Sequence, residues 1–131
     1  VPMDILQKQS ALTPDEIEVM KRHTVIGAGL LEDINFKEDY NEFMQMAIEI
    51  TRSHHEHWDG SGYPSGISGE QIPLSAQIVS IVNTYCALTE KRTYRKAYTM
   101  EEALEVMRRD AGTKYNAYIY EIFTKISRQM I

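Results

Sequence analysis

A single cysteine, Cys86, in 131 residues rules out an internal disulfide and fits a reducing cytosol. No apolar run approaches the ~18 residues a membrane-crossing helix needs, and the N-terminus lacks the basic and apolar regions of a signal peptide. A basic excess is also missing. With a formal net charge of −5, the chain has no general field for nucleic acid, so an anionic ligand must be met by a local positive patch. There is no alternating strand-like run, no internal repeat and no low-complexity tract. What remains is one soluble domain over residues 1–131, long enough to bury roughly two-thirds of its unfolded surface. The chain opens on Val1-Pro2, which suggests a piece of a longer protein.

Helix signals fill the space. Thr13-Pro14-Asp15-Glu16 combines a capping threonine, a first-turn proline and the glutamate of a capping box. The spacing predicts one helix from there through Leu30, with Ile17, Met20, His23, Ile26 or Gly27, and Leu30 on its buried stripe. Gly27, one turn after His23, leaves room for another element to approach. Asn35 to Asp39 reads as a polar connector. A second helix is expected from about Tyr40 to His55, with Phe43, Met44, Ala47, Ile48 and Thr51 inward.

Trp58 to Pro73 holds too many glycines and prolines for a regular element, and a loop this long in a small domain is usually functional. Ser75 to Leu88 is apolar enough for a central helix buried nearly all round. Thr99-Met100-Glu101-Glu102 is a second capping box, opening a helix to about Asp110. Gly112 follows, and Asn116 can cap a last helix carrying Ile119, Ile122, Phe123 and Ile126. The fold class is all-α, with about five main helices.

Chemistry concentrates in His54-His55-Glu56-His57-Trp58-Asp59-Gly60-Ser61-Gly62-Tyr63-Pro64-Ser65-Gly66. Adjacent imidazoles ending an amphipathic run have no packing purpose, although histidines near a helix C-terminus can simply complement its dipole. His23, taken alone on an apolar stripe, has the bland reading of a satisfied core histidine. His57 reads as solvent-facing. Lys91 to Lys96 is the dense basic patch, either a solvated cluster or a phosphate contact through arginine. Trp58, Tyr63 and Tyr94 suit base stacking or loop packing equally. Cys86 reads as a small buried core residue, and the methionines as core filler.

These residues, with Ala87-Leu88-Thr89, Tyr94 and Ala111-Gly112-Thr113, resemble in order the HD-GYP domains, a bacterial branch of the HD metal-dependent phosphohydrolases. The resemblance covers nearly the whole chain. It implies an HD-domain-like helical bundle whose family uses divalent metal, often iron or manganese, to hydrolyse cyclic di-GMP, commonly behind a receiver or sensor domain. It implies metal ligands at His23, His54 and His55, a dinucleotide-lining loop at Gly62, Tyr63 and Pro64, and phosphate contacts at Arg92 and Arg95.

The chain departs from the family pattern at several places. The His-Asp pair that names the superfamily is not in these residues; the family pattern would put it just upstream of Val1. Asn83 and Cys86 stand at the two aspartates of the central helix, Gln77 where an arginine is common, and Asn116-Ala117 where the family has Asp-Pro. A two-metal hydrolytic centre needs carboxylates to hold and bridge its cations.

The resemblance with these departures leads to a catalytically impaired binding or regulatory module of cyclic di-GMP signalling, with no intact catalytic set and metal absent or partly occupied. The alternatives are a fragment of an active phosphodiesterase and a ligand-free interaction domain. A cytoplasmic setting, no nucleic acid, no membrane and a possible homodimer complete the expectations.

Overall fold

A computed structural model describes residues 1–7, 10–37, 41–91 and 96–129. They form helices α1 (Met3–Leu6), α2 (Pro14–Lys21), α3 (His23–Lys37), α4 (Glu42–Ser53), α5 (Leu74–Thr89), α6 (Met100–Arg108) and α7 (Ala117–Gln129), plus one turn of 3₁₀ helix at Gly69–Gln71. Extended pairing among the described residues is limited to one isolated bridge between Ala111 and Tyr115. No helix among them is long and apolar enough to cross a membrane.

Both capping boxes form. The Thr13 hydroxyl accepts from the Glu16 N–H while the Glu16 carboxylate accepts from the Thr13 N–H, and Thr99 and Glu102 repeat the exchange. Asn41 caps α4 and Asn116 caps α7, each accepting from two backbone N–H groups of the first turn.

The helix expected from Thr13 to Leu30 is two helices. The break falls at Arg22, where two side chains compete for the backbone. His23 Nδ1 takes the Met20 carbonyl and the Thr24 hydroxyl takes that of Lys21, while the Arg22 N–H donates to Val19 in a tight turn. The break resets which face is buried. On α3 the covered line is Thr24 and Ala28, whereas Ile26 and Leu30 stand largely in solvent and Ile17 on α2 is exposed as well. Helix α3 also runs through Asn35 to Lys37, where a connector was expected.

Helix α4 packs on α3 more extensively than any other pair of elements. A Cβ at Gly27 would sit 2.8 Å from Cγ2 of Thr51, so glycine sets how closely these two helices approach. Ile48 is buried on this helix, but Phe43, expected inward, is exposed near its start.

Helix α5 is central without being enclosed. It packs against α4, α6 and α7, yet Leu74, Ile78 and Val82 form an exposed stripe at steps of four that Cys86 continues. Cys86 is therefore not the buried core residue expected, because α4, α6 and α7 cover the other sides of the helix. The main core gathers Ile81, Met107, Tyr115 and Tyr120, with Tyr85, Leu88 and Phe123 packed around them. Tyr120, not anticipated as a core residue, is fixed by its hydroxyl donating to the Leu104 carbonyl. Ile122 and Ile126, expected inward on α7, are partly exposed.

Candidate metal centre

The α2–α3 break puts His23 at the first position of α3, and α4 ends at Ser53 so that His54 is its C-cap and His55 follows. The close α3–α4 approach brings the three rings together. Their centroids lie 5.7 Å (His23–His54), 5.0 Å (His23–His55) and 4.1 Å (His54–His55) apart. One ring nitrogen from each lies within 4.8 Å of the other two.

Two of the tautomers follow from the backbone. His23 Nδ1 lies 2.5 Å from the Met20 carbonyl oxygen, and His54 Nδ1 lies 2.8 Å from that of Ile50. A carbonyl can only accept, so both Nδ1 atoms carry a proton, and Nε2 is the atom each ring has left to offer a metal. Backbone-oriented imidazole of this kind is the usual outer support of a metal ligand. His55 is half-buried, and that burial, followed by the nearness of His54, His23 and His57, lowers its pKa to about 4. It is neutral at physiological pH, as a ligand must be.

Three neutral nitrogens fit one borderline divalent ion. Ligands of a tetrahedral ion with bonds near 2.1 Å sit roughly 3.4 Å apart, so the rings, with nitrogens within 4.8 Å of one another, would close inward on binding. The same set does not fit two close ions. No carboxylate joins this group among the described residues, and none is there to bridge a pair of cations. Asn83, at an aspartate position of the family pattern, is exposed on α5.

The nearest acid in sequence, Glu56, is turned to another task. It is 2% exposed, and its two carboxylate oxygens accept from the N–H groups of Ser65 (2.8 Å) and Gly66 (2.9 Å). It clasps the far side of the glycine-rich loop back to the residues following α4. Sequence reading included Glu56 in the motif without giving it a role. The available signal was an acid directly before a loop rich in N–H groups.

The loop returns over the histidines. A Cβ at Gly62 would fall 2.4 Å from both the His55 oxygen and the His57 nitrogen, so any side chain there meets backbone. The Tyr63 N–H donates to the His55 carbonyl at 3.1 Å, and the Tyr63 ring stacks on His55 with centroids 4.9 Å apart and planes 15° apart. Burial raises the Tyr63 phenol above its ordinary pKa. The peptide to Pro64 is cis.

At the start of the loop, Trp58 and Asp59 donate to the carbonyls of Lys114 and Thr113, tying it to the turn before α7. His57 is partly buried rather than fully solvent-facing. Its Nδ1 lies 3.0 Å from the Ser61 hydroxyl, and burial, followed by the charge of Lys114, lowers its pKa. Lys21, unremarked in the sequence, places Nζ 5.3 Å over the Tyr63 ring. Arg92, Tyr94 and Arg95 lie outside the described residues.

The HD domain family pattern matches residues 1–119. The chain belongs to the HD domain family. Within it, the HD-GYP resemblance agrees with the relatives found. The chain is 36% identical over 130 residues to a cyclic di-GMP phosphodiesterase of Thermotoga maritima, covering 99% of this chain and 34% of that protein. It is 41% identical over 116 residues to a cyclic di-GMP phosphodiesterase response regulator of Xanthomonas campestris pv. campestris, covering 88% and 29%. It thus spans about a third of the length of these curated relatives. A solved cyclic GMP-AMP-specific phosphodiesterase of V. cholerae shares the fold, with a TM-score of 0.58 at 18% identity over 95% of this chain and 31% of that one.

The lowered pKa of His55 gives this HD domain a pH signature. The folded value of about 4 lies below the ordinary 6.5, so between those values the unfolded chain binds the extra proton. Stability therefore rises with pH across that window and is lost as pH falls through it. Because the ring is only half-buried, the expected loss is discounted to about 1–2 kcal/mol. Urea midpoints of metal-free protein at pH 7 and pH 4.5 should differ in this direction, and His55→Gln should flatten the difference. An equal slope in the variant would remove His55 as its source.

Proposed function

We propose that this HD domain is a catalytically impaired binding or regulatory module of cyclic di-GMP signalling, with one divalent ion at most on His23, His54 and His55. The observation that carries the reading is the donor set itself, three imidazoles within 4.8 Å of one another and no carboxylate among them. Hydrolysis of a phosphodiester by a two-metal centre needs close cations, a bridging acid and a water made acidic enough to attack at neutral pH. A resident metal would supply Lewis acidity toward the phosphate.

The protein's own part is different. The backbone carbonyls of Met20 and Ile50 orient two imidazoles, and Tyr63 covers the third. With Asn83 and Cys86 in place of the family's two aspartates, the second cation lacks its carboxylate partners. Gly62, Tyr63 and Pro64, with Arg92 and Arg95 as implied by the resemblance, remain for a cyclic dinucleotide, and residues 1–131 act as one partial HD-GYP domain in a longer signalling protein.

A second reading is a working cyclic di-GMP phosphodiesterase whose other ligands come from the remainder of that protein. It is favoured by the phosphodiesterase activity for which these relatives are named and by the share of their length that this chain spans.

Metal analysis after equilibration with manganese, iron or zinc should return no more than one ion per chain. Cyclic di-GMP should bind in calorimetry but stay intact over a day at micromolar protein. Two or more ions together with turnover would establish the second reading. Absence of cyclic di-GMP binding, with and without metal, would leave an interaction domain.

A further inference from the structure

We infer that Lys21 is the cation that meets a ligand phosphate at the rim of the histidine cluster, an inference that rests on reading this site as a cyclic-dinucleotide pocket. The placement follows from the helix break. Helix α2 ends on Lys21 and α3 begins on His23, so one turn of chain carries both the ammonium and a candidate ligand to the same corner. Lys21 Nζ lies 5.3 Å from the Tyr63 ring centre, and that ring lies 4.9 Å from His55, which is in turn 5.0 Å from His23. The ammonium is therefore within about 10 Å of the His55 ring, on the side where the loop closes.

Among the described residues the Lys21 ammonium has two contacts, and both are weak enough to yield. Its pair with Glu18 spans 3.5 Å between side chains that are 39% and 69% exposed, a setting in which an ion pair contributes little. A cation over an aromatic face at a partly exposed position is similarly modest. A phosphate oxygen offers a full negative charge and a charge-assisted hydrogen bond, which outcompetes either. Other described cations carry ion pairs of their own. Arg52 pairs with Glu32, and Lys114 with Asp110 at 3.5 Å.

The chain as a whole is negative, so a dinucleotide carrying two phosphates needs local positive charge at its point of entry. Tyr63 then has a double use, holding the ammonium in place in the absence of ligand and presenting its covered ring beside the phosphate-binding position. In this account Lys21 positions ligand by charge and takes no part in bond breaking.

The test is calorimetric titration of cyclic di-GMP into the wild-type protein, Lys21→Met and Lys21→Arg, each at low and high salt. Lys21→Met is expected to weaken binding about tenfold or more and to flatten its salt dependence. Lys21→Arg should recover most of the affinity, and zinc binding to the histidines should be unchanged in both variants. If the wild type binds and Lys21→Met binds equally tightly with the same salt dependence, Lys21 has no such role and the pocket reading stands. Lost affinity that Lys21→Arg does not restore, with unchanged salt dependence, would reduce Lys21 to packing against Tyr63 and overturn the proposal. A wild type that does not bind cyclic di-GMP at all would overturn the pocket reading and this inference together.

Discussion

Replacing Gly62 by alanine is expected to detach the glycine-rich loop from the histidine pair. The added methyl would lie 2.4 Å from the His55 oxygen, 2.4 Å from the His57 nitrogen and 2.7 Å from the Glu56 carbonyl carbon. All three atoms are backbone, so no rotamer change relieves the clash. Either the His55–His57 segment shifts, or the loop moves away and gives up the Tyr63 N–H bond to His55 and the ring stack above it. The expected cost is about 3 kcal/mol, at the upper end for overpacking because the neighbours are backbone.

The two outcomes separate in solution. Loop release leaves His23 and His54 on their helix ends, so zinc affinity should change little while cyclic di-GMP affinity is lost. Gly29→Ala is the control. It sits in α3 with nothing within 4 Å of the added methyl, and replacing a helical glycine there should stabilise by about 0.5–1 kcal/mol. Urea unfolding of the two variants should therefore move in opposite directions. A Gly62→Ala protein with wild-type stability and an intact Tyr63–His55 contact by NMR would refute the close-approach argument.

Local chemistry in this sequence was legible where a few adjacent residues decide the outcome. Thr13 with Glu16, Thr99 with Glu102, and Asn116 before α7 needed only their own turn, and each formed as its pattern indicated. The role of Gly27 also followed from its place one turn after His23, since a second helix had to come close for the histidines to meet. Exposure was less legible. Leu74, Ile78 and Val82 are as apolar as any core helix, and nothing within α5 says which of its sides α4, α6 and α7 will leave open. The break at Arg22 was missed for a different reason. Both flanking segments favour helix, and the ladder is interrupted by the side chains of His23 and Thr24 reaching back for carbonyls, a competition that periodicity does not register. That break is also what brings Lys21 to Tyr63. At the site, the three imidazoles were readable as a group from the resemblance, but the partners of their Nδ1 atoms and the direction of the Glu56 carboxylate required coordinates.

Glu56 supplies the second large effect, and its variants separate a loop clasp from a metal ligand. Glu56→Ala removes both acceptors of the Ser65 and Gly66 N–H groups. Hydrogen bonds to a charged group contribute more than neutral ones, but Ser65 and Gly66 are exposed enough for water to reach their freed donors. The balance points to a loss of about 2–4 kcal/mol, including the small cavity left by a buried side chain. Glu56→Gln should fall between, because its amide keeps one acceptor and turns a donor toward the other N–H.

Amide exchange at Ser65 and Gly66 should accelerate in both variants, and more in the alanine one. Metal affinity carries the discrimination. A carboxylate bound to the metal could not be neutralised without a loss larger than the ~10–100-fold typical of changing a residue that only supports a ligand. A clasp whose oxygens face the loop should leave zinc affinity within a few-fold of wild type, even as dinucleotide binding weakens through a loosened Tyr63. Slow exchange at Ser65 and Gly66 with metal affinity collapsed would assign Glu56 to the metal instead, and would return to the cluster the carboxylate whose absence argues against catalysis.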